Sequence, residues 1–135
     1  MSKIAIFDTS ILIDQLRTGR HTSRLDSLMA LIRNSSVVLS ELWRGARSGP
    51  DREFLRKMAK SHPILTPTEN NWLESGQILA RIGQDQGFIA AKLRDLHFDV
   101  LIALTARSYG ATVITCNRPD FELIRSYKSF QLELW

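Results

Sequence analysis

The sequence lacks the features that several protein classes require. It contains one cysteine, Cys116, which cannot form an internal disulfide and which we expect to be a small core residue of a buried strand. No apolar stretch is long enough to cross a bilayer, and the N-terminus enters a predicted strand without a signal-peptide pattern. We therefore expect a cytoplasmic protein with no membrane partner.

Two kinds of catalytic motif are also missing. No glycine-rich phosphate loop occurs, which disfavours a P-loop nucleotide hydrolase. The histidines, His21, His62 and His97, have no histidine or cysteine partner at zinc-binding spacing, and we expect all three on the surface or in loops. There is no internal repeat, low-complexity tract or linker. The 135 residues suit one domain, which we predict to span residues 1–135.

Positive charge dominates once four particular acids are set aside. The chain carries 18 Lys and Arg against 14 Asp and Glu, a net charge of +4. Without the four acids described below, the balance is 18 against 10, or +8. Thirteen of the cations are arginine, whose planar guanidinium makes forked contacts with phosphate. Such a surface can hold a polyanion, and it can equally serve solubility alone.

Apolar runs and capping residues predict an alternation of strands and helices. The predicted strands are residues 3–7, 36–39, a short extended piece at 63–67, 112–115 and 130–134. The predicted helices are residues 11–17, 23–33, 41–47, 51–61, 68–86 and 99–109, with a short helix from Pro119. Residues 87–98 show no clear periodicity. Strands that alternate with helices through short links indicate an α/β fold with a parallel sheet and helices on both faces.

Four acidic residues recur around the ends of the predicted strands. Asp8 follows the first strand, Glu41 the second and Asp120 the fourth, whereas Asp99 opens an apolar helix. Because the carboxyl ends of parallel strands share one edge, where ligands bind, we expect these carboxylates to meet. They would repel one another strongly unless a cation neutralised them. Oxygen ligands alone suit Mg²⁺ or Mn²⁺.

Each acid also has a plainer explanation. Asp8 could only cap the following helix. Glu41 and Asp99 could be acids of a first helical turn, where negative charge is favourable. These separate explanations do not predict that the acids recur at one edge of one sheet. Asp95, four residues before Asp99, is the second choice as a ligand, because the apolar run begins directly after Asp99.

Several uncharged polar residues are expected near the same edge. Thr9, Ser10 and Thr115 are candidates to support the acids, although helix capping explains Ser10 as well. Asn117 could orient water or hold a metal-bound carboxylate through its amide. A turn-forming asparagine is the common alternative at such a position.

Four segments of the sequence follow the order and approximate spacing of one family. They are Phe7–Asp14, Val38–Ala46, Asp99–Ala106 and Thr115–Phe121. Together they resemble the PIN-domain ribonucleases, in particular the VapC-type toxins of toxin–antitoxin pairs. The resemblance implies a PIN-like three-layer fold whose central parallel sheet, flanked by helices, has strand order 3-2-1-4-5.

The resemblance also implies an activity and a set of site residues. It implies cleavage of RNA with Mg²⁺ or Mn²⁺ held by Asp8, Glu41, Asp99 and Asp120, and it puts Asn117 at the family's neighbouring polar position. Asp8 and Asp99 are expected to be the primary ligands, while the other two acids complete the ring or act through water. A metal held there would lower the pKa of a bound water and stabilise the charge that builds on the phosphate.

Partners follow from the same resemblance. A VapB-like antitoxin and homodimerisation are implied, and several large apolar residues on helices give surface for such contacts, although core packing explains most of them. Candidates for gripping the RNA backbone lie just downstream of site elements: Arg17, Arg20, Arg44 and Arg47. Solvated charge on a helix face explains each of these arginines equally well.

Other functional classes fit less well. A phosphatase of the haloacid-dehalogenase type would need an acid at the position of Ser10, and a response-regulator receiver would need paired early acids and a lysine after its last strand. The serious alternative is an inactive PIN-like module that binds RNA or a protein without cutting. The presence of an acid at all four positions favours the enzyme.

Overall fold

A computed structural model describes residues 3–135. The strands are β1 (Lys3–Phe7), β2 (Ala30–Ser35), β3 (Ile64–Leu65), β4 (Ala111–Thr115) and β5 (Gln131–Leu134). The helices are α1 (Thr9–Thr18), α2 (Thr22–Ser27), α3 (Ser36–Gly45), α4 (Gly49–Ser61), α5 (Glu69–Gln86), α6 (Ala90–Ser108) and α7 (Arg118–Tyr127). The five strands form one sheet in the order β3-β2-β1-β4-β5, with every neighbouring pair parallel. The predicted α/β fold and strand order are confirmed.

The two central strands connect the layers of the fold. Side chains alternate between the faces of a strand, and in β1 both faces are buried. Ile6 belongs to the buried cluster that contains Leu101 of α6, whereas Phe7 belongs to the cluster that contains Ile11 of α1. The carboxyl ends of β1 and β4 lie side by side, because the two strands are adjacent and in parallel register.

The predicted helix at residues 23–33 is wrong beyond residue 27. The structure has the short helix α2, followed by β2 at Ala30–Ser35. Leu28 and Ile32 both pack on the same core cluster as Phe7. A spacing of four residues puts two side chains on one face of a helix, but it also puts them on one face of a strand. The pattern was therefore compatible with both structures, and pairing with β1 decides for the strand.

The predicted strand at residues 36–39 is also wrong. These residues form the first turn of α3, and Val37, Val38 and Leu39 are all buried there. The cap of α3 is Ser35, whose Oγ accepts a hydrogen bond from the Val38 N–H at 3.3 Å. A helix covered on several sides is apolar around much of its circumference, so its sequence resembles that of a buried strand.

The unassigned residues 87–98 largely belong to α6. This helix begins at Ala90 and continues to Ser108, so Asp99 lies in its middle and does not open it as predicted. The remaining predicted elements agree with the structure to within a few residues. Gly87, for example, ends α5 with a backbone φ of 66°, a left-handed conformation that favours glycine.

Two further expectations concern single residues. His21 lies in the turn between α1 and α2, which agrees with the expected surface or loop position, but it is buried there, with 3% of its surface exposed. Cys116 lies directly after β4 and is only partly buried, whereas it was expected inside the strand. The predicted single domain includes residues 1 and 2, which lie outside the described residues. Among residues 3–135, no helix is long and apolar enough to cross a membrane.

Candidate active site

Asp8 lies between the ends of the two central strands. Its backbone N–H donates to the Ile114 carbonyl at 2.9 Å, and only 4% of the residue is exposed. The carboxylate Oδ2 accepts hydrogen bonds from Ser10 Oγ at 2.9 Å and Thr115 Oγ1 at 2.8 Å. The Asp8 side chain makes no hydrogen bond to the backbone of α1, so helix capping does not account for it. The hydroxyls of Ser10 and Thr115 orient this carboxylate.

Glu41 reaches the same place from α3. Its Oε1 accepts a hydrogen bond from Thr9 Oγ1 at 3.0 Å, and Thr9 directly follows Asp8. Burial and the charge of Asp8 raise the pKa of Glu41, against the opposing effects of the Thr9 hydrogen bond and Arg44. The predicted strand before Glu41 does not exist, yet α3 brings the carboxylate beside Asp8.

Asp99 projects from the middle of α6 toward the other acids. Burial, the largest cause, together with the charges of Asp8, Glu41 and Asp120 in that order, raises its pKa to about 8, while the charge of Lys92 opposes them. A carboxylate that feels three others in this way lies in their immediate field. The structure thus brings together all four acids that the sequence singled out.

Asp120 is held at the start of α7. Asn117, the residue before this helix, donates from Nδ2 to Asp120 Oδ2 at 3.1 Å and accepts from the Asp120 N–H at 3.4 Å. Lys92 Nζ donates to the other carboxylate oxygen at 3.0 Å. Asn117 therefore acts both as a helix cap and as a positioning group for Asp120.

Lys92 was missed by the sequence analysis. It lies in α6, within the stretch that shows no clear periodicity, seven residues before Asp99. Seven residues are about two helical turns, so the two side chains share a face. A predicted helix that began at Ala90 would have put Lys92 on the same face as Asp99 and so indicated a cation beside the acids.

The remaining candidates are placed less centrally. Asp95 is exposed and is not among the charges that act on Asp99. Arg44 lies near Glu41, whose pKa it lowers, and Arg17 lines a groove that also contains Glu41. Arg20 is paired with Asp14 and also contacts Cys116, so its described partners are not among the four acids.

The donor chemistry of the site fits a hard divalent cation. All four acids offer carboxylate oxygens, the ligands that Mg²⁺ and Mn²⁺ prefer. The raised pKa of Asp99 reflects burial first and then repulsion from the other three acids, and a cation would relieve that repulsion. The tightest group of possible metal ligands among the described residues is not part of this site. It consists of Asp14, His21 and Cys116, whose ligand atoms all lie within 4.8 Å of one another. The acidic carboxylates are spread more widely than that group.

Comparison with known proteins identifies the family. The PIN domain model matches residues 5–125, and the chain belongs to the PIN-domain family. PIN domains are generally nucleases that depend on divalent metal ions. Among curated proteins, none matches the sequence significantly.

Solved structures of toxin–antitoxin complexes share this fold. VapBC2 from Rickettsia felis, in complex with a DNA fragment from the VapBC2 promoter, matches with a TM-score of 0.75 and 23% identity over 98% of each chain. DNA-bound VapBC from Salmonella typhimurium matches with a TM-score of 0.71 and 24% identity over 100% of this chain and 99% of that chain. VapBC-1 from nontypeable Haemophilus influenzae matches with a TM-score of 0.72 and 24% identity over 98% of each chain.

Proposed function

We propose that the protein is a Mg²⁺- or Mn²⁺-dependent endoribonuclease that acts as the toxin of a toxin–antitoxin pair in the cytoplasm. The observation that carries the proposal is the gathering of four carboxylates, in which three acids act together on the pKa of Asp99. Membership of the PIN family and the shared fold of VapBC proteins support it.

In this proposal Asp8, Glu41, Asp99 and Asp120 hold the metal. Mg²⁺ or Mn²⁺ bound there would supply a Lewis acid that stabilises the charge on the scissile phosphate. The chain's own residues position the ligands. Hydroxyls of Ser10 and Thr115 both bind the Oδ2 atom of Asp8, and in this proposal the Oδ1 atom faces the metal. Thr9 orients Glu41 and Asn117 orients Asp120 in the same manner, each through one hydrogen bond to the carboxylate.

The charge distribution suits an RNA substrate. Asp8, Glu41 and Asp120 gather around Asp99. The rest of the chain carries an excess of eight positive charges, 18 Lys and Arg against 10 Asp and Glu. Cations draw a polyanion to the surface, while the metal neutralises the carboxylates at the point of cleavage. Arg17 and Arg44, both close to Glu41, are our candidates for contacts with the RNA backbone.

The activity is tested directly with purified protein and total cellular RNA. We expect discrete fragments with Mg²⁺ or Mn²⁺ and none with excess EDTA, because the carboxylates alone repel a phosphate. Tight RNA binding without fragments under any metal condition would contradict the proposal and would favour the inactive binding module.

Lys92 is expected to assist cleavage. Its ammonium pairs with Asp120, at a position where it can also neutralise charge on the phosphate. Because the side chain is 37% exposed, solvent weakens this effect, and we expect Lys92→Met to lower kcat by about tenfold rather than by the larger factors seen for enclosed donors. Single-turnover cleavage measures the change.

The matched control for this variant is Lys128→Met. Lys128 makes a similar ion pair with Glu74, and neither residue is among the charges that act on Asp99. The cleavage rate of Lys128→Met should therefore stay within about twofold of that of the unmodified protein. Lys92→Arg, which keeps the charge, should recover most of the rate. Equal losses in the two methionine variants would contradict a specific role for Lys92.

A groove beside the acids offers a place for the antitoxin. It has a volume of about 630 Å³ and lies between α1, α3 and α4. Apolar Ile13, Leu16 and Leu42 line it together with Arg17 and Glu41, so a partner that fills the groove extends to the edge of the metal-binding site. We propose that a VapB-like antitoxin occupies it and blocks access of RNA. Homodimerisation remains a prediction from the resemblance.

A further inference from the structure

A second group of metal-ligating side chains lies next to the acidic site. Asp14 comes from α1, His21 from the turn between α1 and α2, and Cys116 from the residue after β4. Their carboxylate oxygen, imidazole nitrogen and thiol sulfur all lie within 4.8 Å of one another. We propose that these three residues bind Zn²⁺, at a site separate from the four acids and independent of the proposed nuclease activity.

The distances are close to those of a zinc site. His21 Nε2 and Cys116 Sγ are 3.6 Å apart, and a tetrahedral ion with Zn–S near 2.3 Å and Zn–N near 2.0 Å sets these atoms about 3.5 Å apart. Asp14 Oδ2 lies 2.8 Å from His21 Nε2, at hydrogen-bonding distance. Two ligands of one zinc ion would lie roughly 0.5 Å farther apart than these two atoms. The Asp14 side chain is 27% exposed, and a small rotation of it can supply the difference.

The fold holds two of the ligands in place before any ion arrives. The backbone N–H of His21 donates to Gln15 Oε1 at 2.8 Å, and its ring packs 5.6 Å from the ring of Trp135. The backbone N–H of Cys116 donates to Ser10 Oγ at 3.2 Å. Ligands that are already ordered lose little conformational entropy on binding, which favours affinity.

The positively charged side chain of Arg20 already contacts two of the three proposed ligands. The Arg20 guanidinium donates to Asp14 and to Cys116 Sγ at 3.6 Å. Its side chain is 57% exposed, so it can move into solvent when an ion binds. Arg20 therefore competes with the metal, and its removal should strengthen metal binding.

The mixed ligand set of this group disfavours Mg²⁺, the ion expected at the four acids. Thiolate and imidazole prefer zinc and similar transition metals, whereas Mg²⁺ prefers oxygen ligands. The three protein ligands leave a fourth tetrahedral position for water. Binding would connect the turn after α1 to the end of β4, so zinc should also raise the melting temperature of the protein.

Cobalt provides a direct test, since Co²⁺ takes tetrahedral zinc sites and gives a thiolate-to-cobalt charge-transfer band in the near ultraviolet. The chain has one cysteine, so this band can come only from Cys116, and a site made of carboxylates does not give it. We expect one Co²⁺ per chain, loss of the band when Zn²⁺ is added, and loss of the band in Cys116→Ser.

Three more variants test whether Co²⁺ binds to the three residues together or only to an accessible thiol of Cys116. His21→Gln should weaken Co²⁺ binding at least about tenfold, and His62→Gln, which changes a histidine elsewhere, should leave it unchanged. Arg20→Gln should tighten binding. The surface change in Arg20→Gln keeps the test decisive even if His21→Gln fails to fold.

Other outcomes would overturn the proposal. They are the absence of a charge-transfer band, a ratio of one Co²⁺ to two chains, or weaker binding in Arg20→Gln. The readout does not use RNA, so a protein that binds Co²⁺ but cleaves nothing would contradict only the proposed function. A protein that cleaves RNA but shows no band would contradict only the zinc site.

Discussion

Asp8→Asn is expected to slow RNA cleavage by roughly 10²–10³-fold while RNA affinity stays within about twofold. Asp8 is buried at the junction of β1 and β4, and its carboxylate is oriented by Ser10 and Thr115. An asparagine has nearly the same shape, so the fold should persist. The negative charge that would hold the metal is lost, whereas the basic surface that would bind RNA is unchanged.

The rate is measured under single-turnover conditions with Mn²⁺, and the affinity by fluorescence anisotropy in EDTA. Asp95→Asn is the matched control, because Asp95 is exposed and lies on the same helix as Asp99. Its cleavage rate should equal that of the unmodified protein. An Asp8→Asn protein that cleaves at the normal rate, or an Asp95→Asn protein that loses activity, would contradict our assignment of the site.

Asp99→Asn is expected to stabilise the metal-free protein and to remove its activity. The pKa of Asp99 is about 8 in the folded protein, against 3.8 for an ordinary aspartate. Between these values the folded chain keeps a proton that the unfolded chain releases, so the free energy of unfolding falls as pH rises. Asparagine carries no charge at any pH and removes this term. The gain should be on the order of a few kcal/mol at about pH 8 and should vanish below about pH 4.

Urea denaturation in EDTA over this pH range measures the effect. The unmodified protein should lose stability as pH rises, Asp99→Asn should lose much less, and Asp95→Asn should behave like the unmodified protein. Mg²⁺ should stabilise the unmodified protein and have little effect on Asp99→Asn, because a ligand stabilises only the form that binds it. An Asp99→Asn protein that is less stable at about pH 8 than the unmodified one would contradict the raised pKa of Asp99, which comes from burial and from the neighbouring acids.

The fold was predictable where local patterns and the sheet agree. Strand β1 is a short apolar run followed directly by the helix α1, and β4 is an apolar run that begins directly after Gly110. The errors at residues 23–39 have a common cause. Leu28 and Ile32 suit a helix or a strand, and the buried start of α3 is apolar enough to resemble a strand. The pairing of β2 with β1, which lies more than 20 residues earlier in the chain, decides between helix and strand here.

The acidic site was predictable in part for a different reason. Asp8 and Asp120 follow strands that the sequence reveals, so their meeting at one edge follows from a parallel sheet. Glu41 was chosen for an incorrect local reason, since α3 rather than a strand carries it. The pairing of Lys92 with Asp120 and the convergence of His21 with Cys116 depend on packing between distant segments, which no local pattern in the sequence reveals.

The most direct test of the central proposal compares metal binding with cleavage in the same samples. Mn²⁺ binding is followed by electron paramagnetic resonance, and RNA cleavage is measured at each Mn²⁺ concentration for the unmodified protein and for Asp99→Asn. We predict that binding and cleavage reach half-maximum at the same Mn²⁺ concentration and that both are lost in Asp99→Asn. Cleavage that persists in EDTA, or that survives in Asp99→Asn, would show that the four carboxylates do not form the metal-dependent active site.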